Sequence, residues 1–366
     1  MSKPLLTKRT INRLVRWYRA NLRDMPWRWT RDPYRIWVSE ILLQQTQVQT
    51  VIPYYHRFLE AFPTVRALAE APLDAVLKAW EGCGYYARAR NLHRAAQIVM
   101  NEYNGRIPDH AAALIRLPGI GKYTAAAIAS LAFDEPVAVI DGNIERVLAR
   151  ILCEKRLLKM APVLRRLDRT ADGLMQAAVE LGIAPREFNQ AIMELGATVC
   201  MPRLAWCAKC PLKSECRARA ALTDVTLLPR KAASPVVPHY DIGAAIIQRN
   251  GLILITQRPS DGLLGGLWEF PGGKRHDGET LEECTAREIR EELAIEIEVG
   301  DLVVKVRHAY SHFKITLHAF ACRYQAGRIR KIGVADYRWV KPEELSRFAF
   351  PKADRAILEK LAILSP

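Results

Sequence analysis

Four of the chain's eight cysteines fall in one short window, CMPRLAWCAKCPLKSEC, at Cys200, Cys207, Cys210 and Cys216. The spacing C-x6-C-x2-C-x5-C holds one close pair, whereas zinc sites usually bring two. Four thiolates with one tight pair suit a cubane iron–sulfur cluster, and structural zinc is the second reading. A disulfide framework would spread its pairs through a small secreted chain. This chain has 366 residues, and its opening MSKPLLTKRT lacks the apolar core of a secretion signal.

A second chemical feature is the glycine loop LPGIGKYTAAA, Leu117 to Ala127. A nucleotide phosphate loop would need glycine where Arg116 stands and a hydroxyl where Tyr123 follows Lys122. It would also need a preceding strand, and HAAALIRL reads as helix. Helix, LPGIG, helix is instead a helix-hairpin-helix. Its glycines, Gly119 and Gly121, let the backbone turn and face its N–H groups outward. The second helix starts there with its positive dipole end, and Lys122 adds a charge. Such a site holds one DNA phosphate without reading sequence; a plain helix cap accounts for only one of the glycines.

Longer-range patterning supplies the elements that position these groups. Residues 1–222 read as a helical domain, with apolar residues at helical spacing in IWVSEILLQQTQV, ARNLHRAAQIV and TAAAIASLAF. Residues 223–238, rich in proline and small residues, read as a linker. Residues 239–366 change texture. GAAIIQRNGLILITQR is a hairpin around Asn250-Gly251, KITLHAFACRY partly alternates like a half-buried strand, and TLEECTAREIREELA has helical period. The fold class is therefore multidomain, all-α followed by α+β. The net charge of +15 favours a polyanionic partner. No run is apolar for the length of a membrane span, and a cytoplasmic, nucleoid-associated chain is expected.

The cysteine spacing at the end of a helical domain resembles the endonuclease III superfamily of DNA glycosylases. That resemblance implies a [4Fe–4S] cluster on Cys200, Cys207, Cys210 and Cys216, supporting a DNA-contacting loop on which Lys209 and Lys213 would face phosphate. It also implies that Asp141, in VAVIDGN, acts at the anomeric carbon of a flipped nucleotide, with Asn143 beside it. Read by itself, Asp141 is equally an N-cap for the helix GNIERVLAR. Strand-cutting members carry a lysine where this chain has Tyr123. Lys122 is one residue early, and a helix turns about 100° per residue. The resemblance thus implies base removal without strand scission.

WVSEILLQQTQV resembles the corresponding segment of MutY-type adenine DNA glycosylases. Glu40 lies there among Ile36, Trp37, Ile41 and Leu43. A carboxyl group in apolar surroundings has a raised pKa and can donate a proton near neutrality. The same resemblance assigns Trp27, Arg28, Gln45 and Gln190 to the adenine pocket or the DNA wedge, and makes Tyr85 the intercalating residue; a core role serves Trp27 equally well.

GLWEFPGGKRHDGETLEECTAREIREELAI resembles a Nudix box, through Gly273, Glu279, Arg287, Glu288, Ile289, Glu291, Glu292 and Ile295. Ala294 stands where the pattern has glycine. Glu288, Glu291 and Glu292 would hold magnesium if the box is active. The MutY-type resemblance makes this domain a reader of 8-oxoguanine, through Tyr310, Ser311 and His312.

The sequence therefore predicts a monomeric hydrolase that binds double-stranded DNA containing 8-oxoguanine·adenine mispairs and excises the adenine. An endonuclease III-like glycosylase/lyase, a DNA-tethered Nudix pyrophosphatase and a non-catalytic DNA-binding protein are the alternatives.

Overall fold

The computed structural model describes residues 7–232, 236–310 and 312–364. Among the described residues the first part of the chain holds twelve α-helices: α1 (Lys8–Asn21), α2 (Pro33–Leu43), α3 (Val48–Ala61), α4 (Val65–Glu70), α5 (Leu73–Ala79), α6 (Ala87–Glu102), α7 (Ala111–Leu114), α8 (Lys122–Phe133), α9 (Gly142–Leu152), α10 (Ala161–Val179), α11 (Pro185–Thr198) and α12 (Arg217–Ala221). Then come β1 (His239–Arg249), β2 (Leu252–Gln257), β3 (Trp268–Glu269), β4 (Gly272–Lys274), α13 (Leu281–Leu293), β5 (Ile295–Ala309), β6 (Lys314–Gly327), β7 (Asp336–Val340) and α14 (Lys352–Leu364).

Packing divides the chain into two compact units. One comprises Met1–Ala69 and Arg94–Ser234, the other Glu70–His93 and Pro235–Pro366. By chain order Glu70–His93 reads as part of the helical domain; by packing it groups with the sheet. The segment read as a linker also begins packed, since Val225 and Leu228 are buried in a small cluster with Ala218.

In the first unit the central helices are α2 and α8. Asp32 caps α2 by accepting from the Tyr34 N–H at 2.8 Å, and Pro33 fits its first turn. Residues Ile36 to Leu42 are buried, and within that stretch only Ser39 and Glu40 are polar. It ends at Leu43, where Gln44 turns out of the helix with ψ 111° and Gln45 follows in a left-handed backbone, φ 59°. The apolar pattern that ran on to Val48 therefore spans two helices, α2 and α3.

The second unit holds a seven-stranded mixed sheet. Its main path is β3-β2-β1-β6-β5, with β4 also on β1 and β7 on β2. The β1–β2 hairpin turns at Asn250 and Gly251, both with positive φ. β1 and β6 pair in parallel at the centre. Ala244 and Ile246 face the cluster that includes Ala353 and Ile357 of α14, while Ala245 and Ile247 face Ile289 and Leu293 of α13. The sheet is thus covered on both faces, and β6 is buried continuously from Ile315 to Phe320. A central strand loses the polar alternation expected of a half-buried one.

Ala294 ends α13 in the left-handed conformation, φ 57°, with its N–H on the Arg290 carbonyl. This is the position where the Nudix pattern places glycine, and the cap explains why. Ala294→Gly is expected to stabilise the second unit by about 1 kcal/mol. A urea midpoint that stays put or falls would show that the cap conformation costs nothing here.

Candidate active site

The chemistry-bearing residues of the first unit meet in one cavity of about 190 Å³. Glu40 projects into it from α2 and is 2 % exposed. Burial pushes its carboxyl up to about 7; the Tyr123 hydroxyl opposes that shift and the charge of Asp141 adds to it. Tyr123, in the first turn of α8, donates its hydroxyl to Glu40 Oε2 at 2.9 Å. Burial and the neighbouring Glu40 raise the phenol well above its ordinary range, which keeps it a donor. Tyr123→Phe removes the contact that holds Glu40 down. Excision that needs protonated Glu40 should then persist to a pH higher by about half to one unit. A profile unmoved on the pH axis would show that the hydroxyl does not act on Glu40.

Asp141 is the N-cap of α9. Its Oδ1 accepts from the Asn143 N–H at 3.0 Å and the Ile144 N–H at 2.8 Å. Its Oδ2 accepts from Asn143 Nδ2 at 2.7 Å. The helix dipole and three N–H donors therefore orient both oxygens. Asn143 is held in turn. Its Oδ1 accepts from Arg146 at 3.0 Å, and Arg146 also donates to the carbonyls of Gly196 at 2.8 Å and Cys200 at 2.9 Å. A Cβ at Gly196 would stand 3.1 Å from the Asn143 Cβ, so a side chain there would press on Asn143. Sequence reading did not single out Arg146, although it lies one helical turn after Asn143.

The far wall is polar and charged. Trp27 is 7 % exposed and packs edge-on to Tyr55 at 5.3 Å, so it is a core residue whose surface also lines the cavity. Gln190 bonds through its carbonyl oxygen to the Tyr18 hydroxyl. Glu194, one turn further along α11, has a fully buried side chain between Arg23, which donates at 2.6 Å, and Arg28. Burial works to raise its pKa, but hydrogen bonds from Arg23 and Arg28 prevail and hold it below the ordinary value. Nε of Arg28 is buried with no hydrogen-bond partner among the described residues. Glu194 was missed from sequence; its i+4 spacing from Gln190 on one helix face was the available signal.

Other predicted positions lie outside this cavity. Gly119, φ 76°, makes the hairpin turn and Gly121 is the N-cap of α8. A Cβ at Gly121 would meet nothing within 4 Å, so that backbone is open to a ligand. Lys122 points away from Tyr123, with Nζ 2.8 Å from Asp168. Gln45 is exposed in the α2–α3 loop. Tyr85 belongs to the second unit, where it is 44 % exposed with φ 48°. Arg88 braces its loop by donating to the Cys83 carbonyl at 3.0 Å and the Gly84 carbonyl at 3.2 Å. Tyr310 packs beside Phe313 with ring centroids 4.8 Å apart, and His312 is exposed. Ser311 lies outside the described residues.

Cys200, Cys207, Cys210 and Cys216 line one small cavity, and none of the four is in a disulfide. Arg150 donates to Cys200 Sγ at 3.2 Å and the Leu212 N–H to Cys210 Sγ at 3.4 Å. Among the described residues no three Cys, His, Asp or Glu side chains converge closely enough to hold a single ion. The four thiols line one space, and four cysteine thiolates are a donor set for an iron–sulfur cluster or a structural zinc. Lys209 sits over the exposed Trp206 ring at 5.5 Å, and Lys213 donates to the Ala208 carbonyl at 3.2 Å.

In the second unit Arg287 gathers the Nudix-like acids, bonding Glu279 at 2.8 Å and Glu288 and Glu291 at 3.0 Å each. A Cβ at Gly273 would lie 2.2 Å from the Glu288 carboxyl carbon, so any side chain there would displace the Glu288 carboxylate. Burial, then Glu269 and Glu288, push Glu292 up to about 8.

A helical unit with a hairpin turn and a two-carboxylate cavity, followed by a Nudix-type sheet, defines a class. Residues 38–167 match the HhH-GPD superfamily of base excision DNA repair proteins, and residues 243–360 match the NUDIX domain. A solved thermostable thymine-DNA glycosylase is 30% identical, with a TM-score of 0.52 over 59% of this chain and 97% of its own. Among curated proteins, the human adenine DNA glycosylase is 33% identical, covering 94% of this chain and 72% of its own length. The rat adenine DNA glycosylase is also 33% identical, over 94% and 76%. That of Buchnera aphidicola (strain Bp) is 36% identical, over 70% and 72%. The chain belongs to the adenine DNA glycosylase family.

Proposed function

We propose that the chain excises adenine mispaired with 8-oxoguanine from double-stranded DNA, by hydrolysis and without cutting the strand. The carrying observation is the pairing of a carboxyl group pushed up to about 7, Glu40, with a helix-capping carboxylate, Asp141, in one cavity. Two carboxyl groups in different environments are what acid-and-base cleavage of a glycosidic bond requires.

Protonated Glu40 gives its proton to the seven-position nitrogen of the flipped adenine. The bond between base and sugar breaks, and its electron pair leaves with the neutral base. Asp141 faces the positive charge that develops on the sugar, and Asn143 and Tyr123 hold the two carboxyl groups in place. Glu40, now a carboxylate, takes a proton from the water that adds to the sugar. Free adenine and an abasic site result. The lining residues among those described include no lysine, and Lys122 is engaged with Asp168, which supports release without a Schiff base. Glu194 and Arg28 offer an acceptor and a donor to the edge of the base.

Tyr85 is proposed as the wedge that fills the vacated stack. Tyr310, Ser311 and His312 are proposed to read 8-oxoguanine, with the Nudix-type acids serving the fold through Arg287 rather than hydrolysing nucleotides. The four cysteines would hold a [4Fe–4S] cluster, which would cross-link the end of the helical unit. No helix among the described residues is long and apolar enough to cross a membrane, and the nucleoid is the proposed location.

The test is one gel assay on an 8-oxoguanine·adenine duplex. Cleavage only after alkali is expected. Cleavage without alkali would point to a lyase, and an intact duplex with retained binding to a non-catalytic protein.

A further inference from the structure

The segment Glu70–His93 carries Tyr85, yet it is packed into the sheet-bearing unit. Its attachments are directed at backbone groups. Lys78 Nζ donates to the Phe348 carbonyl at 3.0 Å and to Glu81 at 2.7 Å. Glu81 Oε1 accepts from the Phe350 N–H at 3.1 Å. The Tyr86 hydroxyl accepts from the Gly82 N–H at 3.3 Å and donates to the Phe350 carbonyl at 3.4 Å. Arg90 donates to the Gly265 carbonyl at 2.6 Å, and Gln257 donates to Asp74 at 3.0 Å. Leu77 is wholly buried, and a Cβ at Gly266 would approach its methyl to 3.1 Å.

Both ends of this contact are stiff. At one end Gly82, Gly84 and Tyr85 all have positive φ, and their turn is pinned where Trp80 Nε1 and Arg88 donate to the Gly84 carbonyl at 3.1 and 3.2 Å. At the other end Phe350 is fully buried and stacks on Phe270 at 5.7 Å. Phe348 and Tyr310 pack against the same apolar cluster. A continuous packed path therefore runs from Tyr310 through that cluster to the 348–350 backbone, then through Lys78, Glu81 and Tyr86 to the Tyr85 turn.

We propose that Lys78, Glu81, Tyr86 and Arg90 make the Tyr85 loop an arm of the damage-reading unit, coupling recognition of 8-oxoguanine to wedge insertion. This rests on the roles proposed above for Tyr85 and the Tyr310 loop. Docking mostly through backbone groups, with Gln257 on Asp74 as a side-chain contact, fixes the arm's position. Lesion contacts at Tyr310 then place the already rigid wedge at the lesion before base flipping, and an undamaged guanine gives no such gain.

The test uses the full chain with Glu81→Ala, Arg90→Met and Tyr86→Phe, the last deleting only a hydroxyl from a chain expected to fold. Single-turnover excision is measured on 8-oxoguanine·adenine and guanine·adenine duplexes. A 2-aminopurine beside the lesion reports unstacking. For Glu81→Ala and Arg90→Met the preference for the damaged duplex should fall about tenfold, with the guanine·adenine rate within about twofold of wild type. Tyr86→Phe should move it the same way by less, and the unstacking signal should shrink only on the damaged duplex. Equal loss on both duplexes, or an unchanged preference in all three, overturns the coupling. A wild-type chain with no preference for the damaged duplex would instead overturn the reading on which it rests.

Discussion

Glu40→Gln should eliminate adenine excision, by roughly a thousandfold or more, while leaving mispair binding near wild type. It should also make the protein more stable, and the two effects together are diagnostic. Burial lifts Glu40 from its ordinary 4.5 to about 7. The folded state therefore resists ionising this group. Below about pH 4.5 the carboxyl is neutral whether folded or unfolded, and no cost exists. Above pH 7 it is charged in both states and the cost is complete, on the order of 3 kcal/mol. Glutamine keeps the shape and still accepts from Tyr123, but carries no charge at any pH. Its stabilising effect should grow from nothing near pH 4.5 to its full size by pH 8. Denaturant unfolding at those two pH values measures it. A solvent-facing helix glutamate would give neither the stability gain nor the loss of activity, and persistent excision would remove Glu40 from the acid role.

The second large effect is expected at Asp141, where two roles coincide. The side chain caps α9 and also faces the site of sugar charge. Asp141→Asn retains a good capping group. Stability should change by less than about 0.5 kcal/mol, while excision falls by roughly a hundredfold to a thousandfold through loss of the charge facing the sugar. Asp141→Ala should lose both, with a capping cost of about 1 kcal/mol. If Asn supports excision at close to the wild-type rate, the residue is a cap and the sugar cation is stabilised elsewhere.

Both predictions draw on residues that local sequence made visible. Glu40 stood out because WVSEILLQQTQV resembles the MutY-type segment; by itself it could have been a solvent-facing helix glutamate. Asp141 stood out because its distance from the glycine hairpin matches the signature of the resembled superfamily, and its local reading as an N-cap is also what the structure contains. The hairpin β1–β2 was legible because Asn250-Gly251 demands positive φ. Other features were less accessible. The apolar run of IWVSEILLQQTQV hides a break at Gln45, since nothing in its periodicity signals a left-handed residue. KITLHAFACRY suggested a half-buried strand, but burial depends on what covers the second face, and here α13 and α14 cover both.

Glu194 and Arg146 illustrate a different limit. Each is an ordinary charged residue on an amphipathic helix, and only the approach of α11 to α9, at Gly196 against Asn143, gives it a role. The grouping of Glu70–His93 with the sheet is of the same kind, because its bonds span more than 170 residues of chain.

Residue type and close spacing alone determined the chemical inventory: four clustered thiols, a glycine hairpin with tyrosine in place of lysine, two carboxylates and a Nudix-like helix. These are local properties, set by backbone conformation and by groups within a few turns. Tertiary structure alone decided which of them meet. It placed Glu40 against Tyr123, held Asp141 through Asn143 and Arg146, and docked the Tyr85 loop on the 348–350 backbone. Those choices depend on long-range packing, where burial sets the proton affinity of Glu40 and close approach sets its partners.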